Sequence, residues 1–424
     1  MTSRWRRHVP PLLRDRQFRL FWTGQSVSMF GDQVSSLAVP LLAVLVLHAD
    51  AGQMGLLTAI GLAPSLLLSL LAGSWIDRHG RRRRTMLVSD LARAALLVSV
   101  PVAYAWGHLT LTQLFVVAFC LGTMDVFFYL AYNTLFVSMV RPEQYVEGNA
   151  LLNGSRAMSY VAGQSVAGLL VSWLSAPVTL LVDAGSFLFS AQALARIDPE
   201  EPEPSKGGAG HLAAGAQFIR SNPIVRSALG ATATINFFNF VFSSIFVLYA
   251  TTELHVPAAA LGLALGCGAV GGLIGSAVTG RITRRIGIGP AFVLSCVLFP
   301  APLLLVPLAG GSRPMVLGML ALAEFGSGLG VMLLDISLGA IFQAAVPDLL
   351  RARVSGAYRT VNYGMRPLGA LAGGFLGTAF GLRPTLWVAS AGGLLCVLWA
   401  LPSPLRRLRS VEDAAPPAPA VSRP

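Results

Sequence analysis

The sequence predicts an all-α membrane protein with twelve transmembrane helices in two pseudo-symmetric six-helix bundles. Three observations carry that expectation. The 424 residues are 54% hydrophobic and only 12% charged, whereas a soluble domain is about 25% charged. So little charge cannot cover a water-facing surface at this length. Apolar runs long enough to span a bilayer recur along the chain. The second half also repeats features of the first.

The spans fall at about 18–47, 53–76, 85–106, 110–136, 149–174, 177–197, 227–251, 258–281, 288–309, 313–340, 354–380 and 383–402. Almost every one must be a helix, because only helices and closed barrels satisfy the backbone in lipid. The runs are too long, and too poor in period-2 alternation, for barrel strands. Met1–Arg19 is arginine-rich but lacks a short apolar core ending in small residues, so no cleavable signal is expected and the first span stays.

Orientation follows from the basic residues. An even span count puts both termini on one side. That side collects the N-terminal arginines, Arg78 with Arg81–Arg84, Arg141, the basic residues between Arg196 and Arg226, Arg281 to Arg285, Arg351, Arg353 and the C-terminal arginines. The other side has only Arg313 and Arg383, which predicts cytoplasmic termini. The net charge of +12 is thereby explained as a topological signal, and no nucleic-acid partner is expected.

The segment "DPEEPEPSKGGAGHLAAGAQFIRSNP" (198–223) differs from the other loops. Its acidic start, Gly-rich middle and weakly amphipathic end read as a linker followed by a surface helix. The expected organisation is a bundle over 1–197, a cytoplasmic linker over 198–226, a second bundle over 227–404 and a disordered tail over 405–424. Between the halves, Gly73-x-x-x-Asp77-Arg78-x-Gly80 reappears as Gly280-x-x-x-Arg284-Arg285-x-Gly287, and Asp32 falls on Asn239 at the same offset. Arg156 falls on Arg359 at a slightly different one. Duplicated halves suit a rocking transporter.

The loop after span 2 is the densest motif: Gly73-Ser-Trp-Ile-Asp77-Arg78-His-Gly80-Arg81-Arg82. Gly73 would let helices approach closely, and Gly80 permits a tight turn. Asp77 can cap the positive N-terminus of another helix. Arg78 and Arg81 can pair with Asp90 or with acidic groups nearer span 4. A plain positive-inside anchor would explain Arg82–Arg84, but neither Asp77 nor the glycines.

The pattern G-x-x-x-D-R-x-G-R-R between the second and third helices resembles the signature loop of the major facilitator superfamily. The stretches "FRLFWTGQSVSMFGDQVSSLAVPLL" (18–42), "SDLARA" (89–94) and "LVDAGSFLFSAQAL" (181–194) resemble the drug:proton antiporter branch that includes macrolide efflux pumps and the enterobactin exporter. The resemblance implies a gate built on Gly73, Asp77, Arg78, Gly80, Arg81, Asp90 and Arg93, working by contacts that form when the cytoplasmic side closes. Family members often carry G-P-x-x-G in helix 5. Here Gln164 replaces the proline between Gly163 and Gly168, which leaves the direction of transport open.

Ionisable residues inside spans are costly and usually functional. Asp32 lies at the middle of span 1, and Gln25, Ser28, Asp32 and Ser36 share a helix face that should line a cavity. A carboxylate out of water can take up and release a proton near neutral pH, so Asp32, Asp125 and Glu324 are the candidates for proton coupling. Phe127, Phe128, Tyr129, Tyr132 and Asn133 beside Asp125 form either an aromatic substrate wall or a packing surface. Asn236, Asn239, Phe240 and Ser243 make a matching stripe on span 7. Arg366 could offset Glu324 or bind an anionic group, and Arg156 and Arg359 could pair with Asp335 or Asp90. The expected substrate-binding set is Gln25, Asp32, Phe128, Tyr132, Asn133, Asn236, Asn239, Phe240 and Arg366.

The four cysteines sit singly in apolar runs, the six histidines are scattered, and no phosphate-binding G-x-x-x-x-G-K-[ST] loop is present. No metal, no cofactor and no enzyme activity are expected. The expectation is a monomeric, proton-coupled secondary transporter of the bacterial inner membrane. It would export a hydrophobic or amphipathic small molecule by alternating access; drugs, natural products and siderophores are the classes the resemblance implies. An importer or metabolite exporter of the same fold is the nearest alternative. A non-transporting scaffold or sensor is the alternative of another class.

Overall fold

The computed structural model describes residues 10–199, 201, 212–410 and 413, with the side chains of residues 70, 77, 212, 213, 349 and 352 left aside. Among the described residues the secondary structure is entirely helical. In chain order the helices are α1 (Arg16–Leu45), α2 (Ala51–Leu67), α3 (Ser69–His79), α4 (Arg82–Ala105), α5 (Leu111–Met139), α6 (Tyr145–Leu174), α7 (Ala176–Ala195) and α8 (Leu212–Ser221). There follow α9 (Pro223–Thr252), α10 (Ala258–Ile286), α11 (Ile288–Leu298), α12 (Leu305–Leu308), α13 (Arg313–Ala345), α14 (Asp348–Phe380), α15 (Leu382–Leu394) and α16 (Val397–Ala400).

All twelve expected spans are helical, and three are broken. Among the described residues ten stretches are long and apolar enough to cross a membrane. The second span divides at Leu68 into α2 and α3, because Pro64 lacks the N–H of a regular helix turn and its ring crowds the one before. The ninth breaks at Pro300, where a short 3-10 turn precedes α12. The twelfth divides between α15 and α16. α14 has the length to cross, yet it carries Arg359 and Arg366 inside its apolar run.

Polar residues start the helices where the sequence supplies them. Asp15 accepts from the Gln17 N–H at 2.8 Å to open α1, and Asp50 and Gln53 form a reciprocal capping box at α2. Large apolar side chains such as Leu71, Val116, Trp173, Leu322 and Phe375 are exposed. Lipid, not water, is the solvent such a surface suits.

The chain forms two compact units, Met1–Ala209 with Ala250–Gly266 and Gly210–Tyr249 with Cys267–Pro424. The start of α10 thus clusters with the first unit instead of the second, a division finer than the linker suggested. Small residues allow it. Gly168 of α6 lies against the backbone of Ala258 and Gly262, and the Ala259 N–H donates to the Ser172 hydroxyl at 3.1 Å. In the second unit a helix, α8, stands in the stretch where one was expected after the linker, and it docks through Gly215 on the backbone of Arg353 and Val354 in α14. The tail expected to be disordered over 405–424 is ordered at its start. Pro404–Arg407 form a 3-10 turn, Leu405 and Leu408 are buried, and the Leu408 carbonyl accepts from the Gly289 N–H at 2.9 Å, because these apolar side chains pack onto α11. Residues 411, 412 and 414–424 of that tail lie outside the described residues.

Candidate functional site

The first unit holds a cluster of ionisable side chains drawn from four helices. Its centre is Arg93 of α4, only 4% exposed, with its guanidinium between two rings, 4.2 Å from the Phe128 centroid and 4.1 Å from that of Phe187. Such a sandwich holds a cation by its attraction to ring faces. Three carboxylates converge on it. Asp90, one turn back on α4 and fully buried, forms an ion pair with Nη2. Asp125 of α5 accepts from Nη1 at 2.9 Å, and Asp32 of α1 stands 4.0 Å from the same nitrogen. A fourth carboxylate, Asp183 of α7, is buried behind Asp32 and accepts from the Ser186 hydroxyl at 2.9 Å.

The helices approach closely enough for this because α1 is small where it faces α7. A Cβ at Gly31 would collide with the Ser186 hydroxyl and the Asp183 carboxylate, so glycine at this position lets the two backbones bring Asp32 and Asp183 together. Gln25, one turn and a half below, donates to the Ser190 hydroxyl of α7 at 3.2 Å.

In-span, one arginine against four carboxylates gives an excess of negative charge whenever the acids are ionised. Asp90 and Asp183 are sealed inside, whereas the side chains of Asp32 and Asp125 are 44% and 57% exposed. Both open into a cavity of about 280 Å³. Gln25, Ser28 and Gln33 of α1 supply its polar wall, Phe128, Tyr129 and Tyr132 of α5 its aromatic wall, and Arg156, Ser159 and Tyr160 of α6 a third side. The arrangement can hold a cationic group or a proton at Asp32 and Asp125 while Arg93 stays fixed.

The second unit has a smaller polar centre. Arg366 of α14 donates through Nε to the Asn236 side-chain oxygen at 3.0 Å and lies over Tyr363 and Phe240, 4.3 and 5.5 Å from their centroids. Asn236 in turn donates to Asn362 at 2.6 Å. This centre ties α9 to α14.

The arginine-rich loop has its own architecture. Gly80 ends α3 in the left-handed region, φ +65°, and its N–H donates to the Ile76 carbonyl. The N-terminus of α4 is then capped from a distance: Glu201 of the linker accepts from the N–H groups of Arg82 and Arg83 at 2.6 and 2.9 Å. The Arg83 side chain returns the contact. It donates to the carbonyls of Leu194 and Ala195 at the end of α7, at 2.8 and 2.7 Å, and reaches Asp198 at 3.7 Å. A carboxylate at a helix N-terminus and a guanidinium at a C-terminus both complement the helix dipoles.

Comparison with known proteins agrees with this architecture. The sequence profile of the Major Facilitator Superfamily matches residues 21–370. The chain belongs to the major facilitator superfamily. Multidrug efflux pump Tap of Mycolicibacterium fortuitum is 27% identical over 412 residues, which cover 91% of this chain and 95% of that protein. The Tap pump of Mycobacterium tuberculosis (strain ATCC 25618 / H37Rv) is 28% identical over 382 residues, covering 86% and 88%. A crystal structure of a bacterial homologue of the human lysosomal transporter Spinster superposes with a TM-score of 0.72 at 14% identity, over 97% of this chain and all of that one. At that identity the likeness speaks for the fold.

Several expected residues of this major facilitator take other places. Arg78 and Arg81 are exposed, and among the described residues neither has a carboxylate within ion-pair distance. Asp90 is beyond their reach: it lies eight residues, about 12 Å, into α4 and is committed to Arg93. Asp90 and Arg93 therefore belong to the cavity cluster and not to the loop. Gly73 provides no close approach, since a Cβ there would meet nothing within 4 Å. The Asp77 side chain lies outside the described residues. Among the described residues Arg156 does not pair with Asp90, and Arg359 is exposed and does not pair with Asp335.

Gln25, Asp32, Phe128 and Tyr132 do line one cavity, but Asn133 does not. It donates to the Tyr129 carbonyl of its own helix at 2.8 Å. Asn236 and Phe240 join Arg366, whereas Asn239 faces a small crevice between Phe238, Phe242 and Phe299. Glu324 is not offset by Arg366; its carboxylate lies against Gly268 of α10. Gln164, where a proline was the family expectation, donates to Gln33 and Ser36 at 3.3 Å and fastens α6 to α1. The cluster also includes Asp183, which sequence reasoning missed. The rule that singled out Asp32, an acid inside an apolar span, applies to Asp183 equally. Glu201 gave no such signal, because one acid among four in a linker looks like any other.

Proposed function

We propose that this major facilitator is a proton-coupled exporter of hydrophobic or amphipathic small molecules, working by alternating access from the cell membrane with both termini cytoplasmic. The observation that carries the reading is the cavity of the first unit. Asp32 and Asp125 face it, share the buried Arg93, and stand beside an aromatic wall. The likeness to multidrug efflux pumps over nearly the whole chain supports export of drug-like molecules.

In the proposed cycle a proton on Asp32 or Asp125 and a substrate cation compete for the same pair of carboxylates. Protonation from outside weakens the site and releases substrate, and proton loss to the cytoplasm restores it. Differential affinity of the two states for proton and substrate couples the two movements, and the proton gradient drives the exchange. Arg93 keeps the carboxylates in place throughout. The glycine-framed loop at Asp77 gates the cytoplasmic side in this reading. No chemical step on the substrate is involved.

The test is accumulation of a fluorescent drug in cells expressing the protein, with and without a proton uncoupler, and proton flux in proteoliposomes on adding that drug. Lower accumulation that the uncoupler abolishes supports the reading. Accumulation equal to that of empty-vector cells, with no drug-dependent proton flux, refutes it.

A further inference from the structure

We infer that Asp183 is a neutral carboxylic acid whose proton stays in place throughout the cycle, so that the charge of the pair it forms with Asp32 is confined to Asp32. The inference rests on the export reading above and adds a positioning residue to that site. The proposed cycle gives Asp183 no part. Yet its side chain, 1% exposed, is sealed beside the carboxylate that trades protons with the cavity.

The placement is tight. A Cβ at Gly31 would overlap both the Asp183 carboxyl and the Ser186 hydroxyl, so the acid lies directly on the α1 backbone, next in the chain to Asp32. Among the charged groups around Asp32, Asp183 acts on it most strongly, ahead of Arg93, Asp125 and Asp90. The helices around α7 leave no cation to spare. α4 brings Asp90 and Arg93, α5 brings Asp125, and the guanidinium of Arg93 is already shared by Asp90, Asp125 and Asp32. α6 contributes Arg156, which opens to the cavity. Among the described residues no basic group lies within ion-pair distance of Asp183.

The hydroxyls beside the carboxyl group suit an acid. Ser186 donates to Oδ1 at 2.9 Å. Ser35, one turn beyond Gly31 on α1, lies within reach, and its buried oxygen has no other hydrogen-bond partner. A protonated Asp183 accepts from Ser186 and donates its own O–H to Ser35, which answers every polar atom of the three. Ionised, it would be a buried charge met by two hydroxyls alone. Two carboxylates that share a site resist ionising together. The sealed member keeps the proton, and Asp32, with 44% of its side chain exposed, takes the negative charge. Asp183 thus acts through Asp32 and leaves Asp32 and Asp125 to exchange protons with the cavity.

The test reads the acid proton directly. The full chain, isotope-labelled at its aspartate carboxyl carbons, is studied by infrared spectroscopy in lipid nanodiscs at about pH 8, roughly four units above the usual aspartate value. The wild type should show the C=O band of a protonated carboxylic acid. The band should vanish in Asp183→Asn and remain in Asp32→Asn and Asp125→Asn. Ser35→Ala should move it to higher wavenumber, because the O–H of the acid loses its acceptor. The pH midpoint for binding of the fluorescent drug should stay within about half a unit of the wild type in Asp183→Asn, about threefold in proton affinity, since an amide offers the same donor and acceptor as the neutral acid.

A wild type without the band, or a band that survives Asp183→Asn, overturns the inference. So does a midpoint lowered by more than about half a unit in that variant, which is what loss of an ionised neighbour would do to Asp32. Should Asp183→Asn fail to fold, a band unmoved by Ser35→Ala overturns it instead. Proteoliposomes separate this from the export reading. Drug-driven proton flux without the band would leave proton-coupled export standing and remove only the resident proton; the band without any flux would do the reverse.

Discussion

Replacing Arg93 by methionine removes the one cation that answers a fully buried carboxylate. Arg93 is 4% exposed and Asp90 is not exposed at all, so the loss leaves Asp90 without a counter-charge in a water-free setting. Removing one partner of such a pair costs about 3–5 kcal/mol. The contacts with Asp32 and Asp125 add less than their geometry suggests. Those side chains are 44% and 57% exposed, and solvent screening brings such pairs to about 0–1 kcal/mol each. The expected loss for Arg93→Met is therefore about 3–5 kcal/mol, set mainly by Asp90.

The double variant Asp90→Asn, Arg93→Met should recover most of it, because a neutral pair no longer strands a charge. Arg93→Lys should lie between, since lysine keeps the charge but neither the fork nor the fit between Phe128 and Phe187. The assay is the unfolding free energy of the purified protein titrated with SDS in mixed micelles, run as a double-mutant cycle. Arg93→Met as stable as the wild type, or Asp90→Asn recovering less than half of the loss, would refute the reasoning.

Three other variants test separate parts of the structure. Asp32→Asn mimics the protonated acid; drug binding should weaken towards its low-pH level and lose most of its dependence on pH, and pH-driven exchange in proteoliposomes should stop, whereas full exchange by the variant would shift the coupling role to Asp125. Gly31→Ala places a methyl against Ser186 and Asp183 and should cost about 1–3 kcal/mol by overpacking, read in the same SDS titration together with weaker drug binding. Glu201→Ala uncaps α4 and should cost about 0.5–2 kcal/mol; hydrogen exchange of the Arg82 and Arg83 amides should quicken, and unchanged exchange would mean that the linker contact does not hold in solution.

The sequence alone determined the fold class, and the reason is solvent. A chain that must satisfy its backbone in lipid has few options, so apolar length suffices to say that the long runs are helices. It also determined Gly80, because a turn between adjacent helices is a local event that one residue decides. Asp32, Asp125, Phe128 and Tyr132 were legible as residues of interest, since acids and aromatic rows stand out in apolar runs. Their partners were not. The loop arginines looked like mates for Asp90, yet Arg93, nearer still in sequence and one helical turn away, holds it.

Asp32, Asp125 and Arg93 come from three helices, and nothing in any one helix says how it is rotated against the next. That rotation is settled by close packing at positions such as Gly31 against Asp183 and Ser186, a contact between residues more than 150 apart in the chain. The same holds for Asn239, which the half-to-half alignment matched to Asp32 but which faces an aromatic crevice, and for Glu201, whose role exists only because the linker returns to the start of α4. Burial in lipid is a property of composition and can be read along the chain. Charge pairing across helices depends on which faces meet, and only the packed tertiary structure decides that.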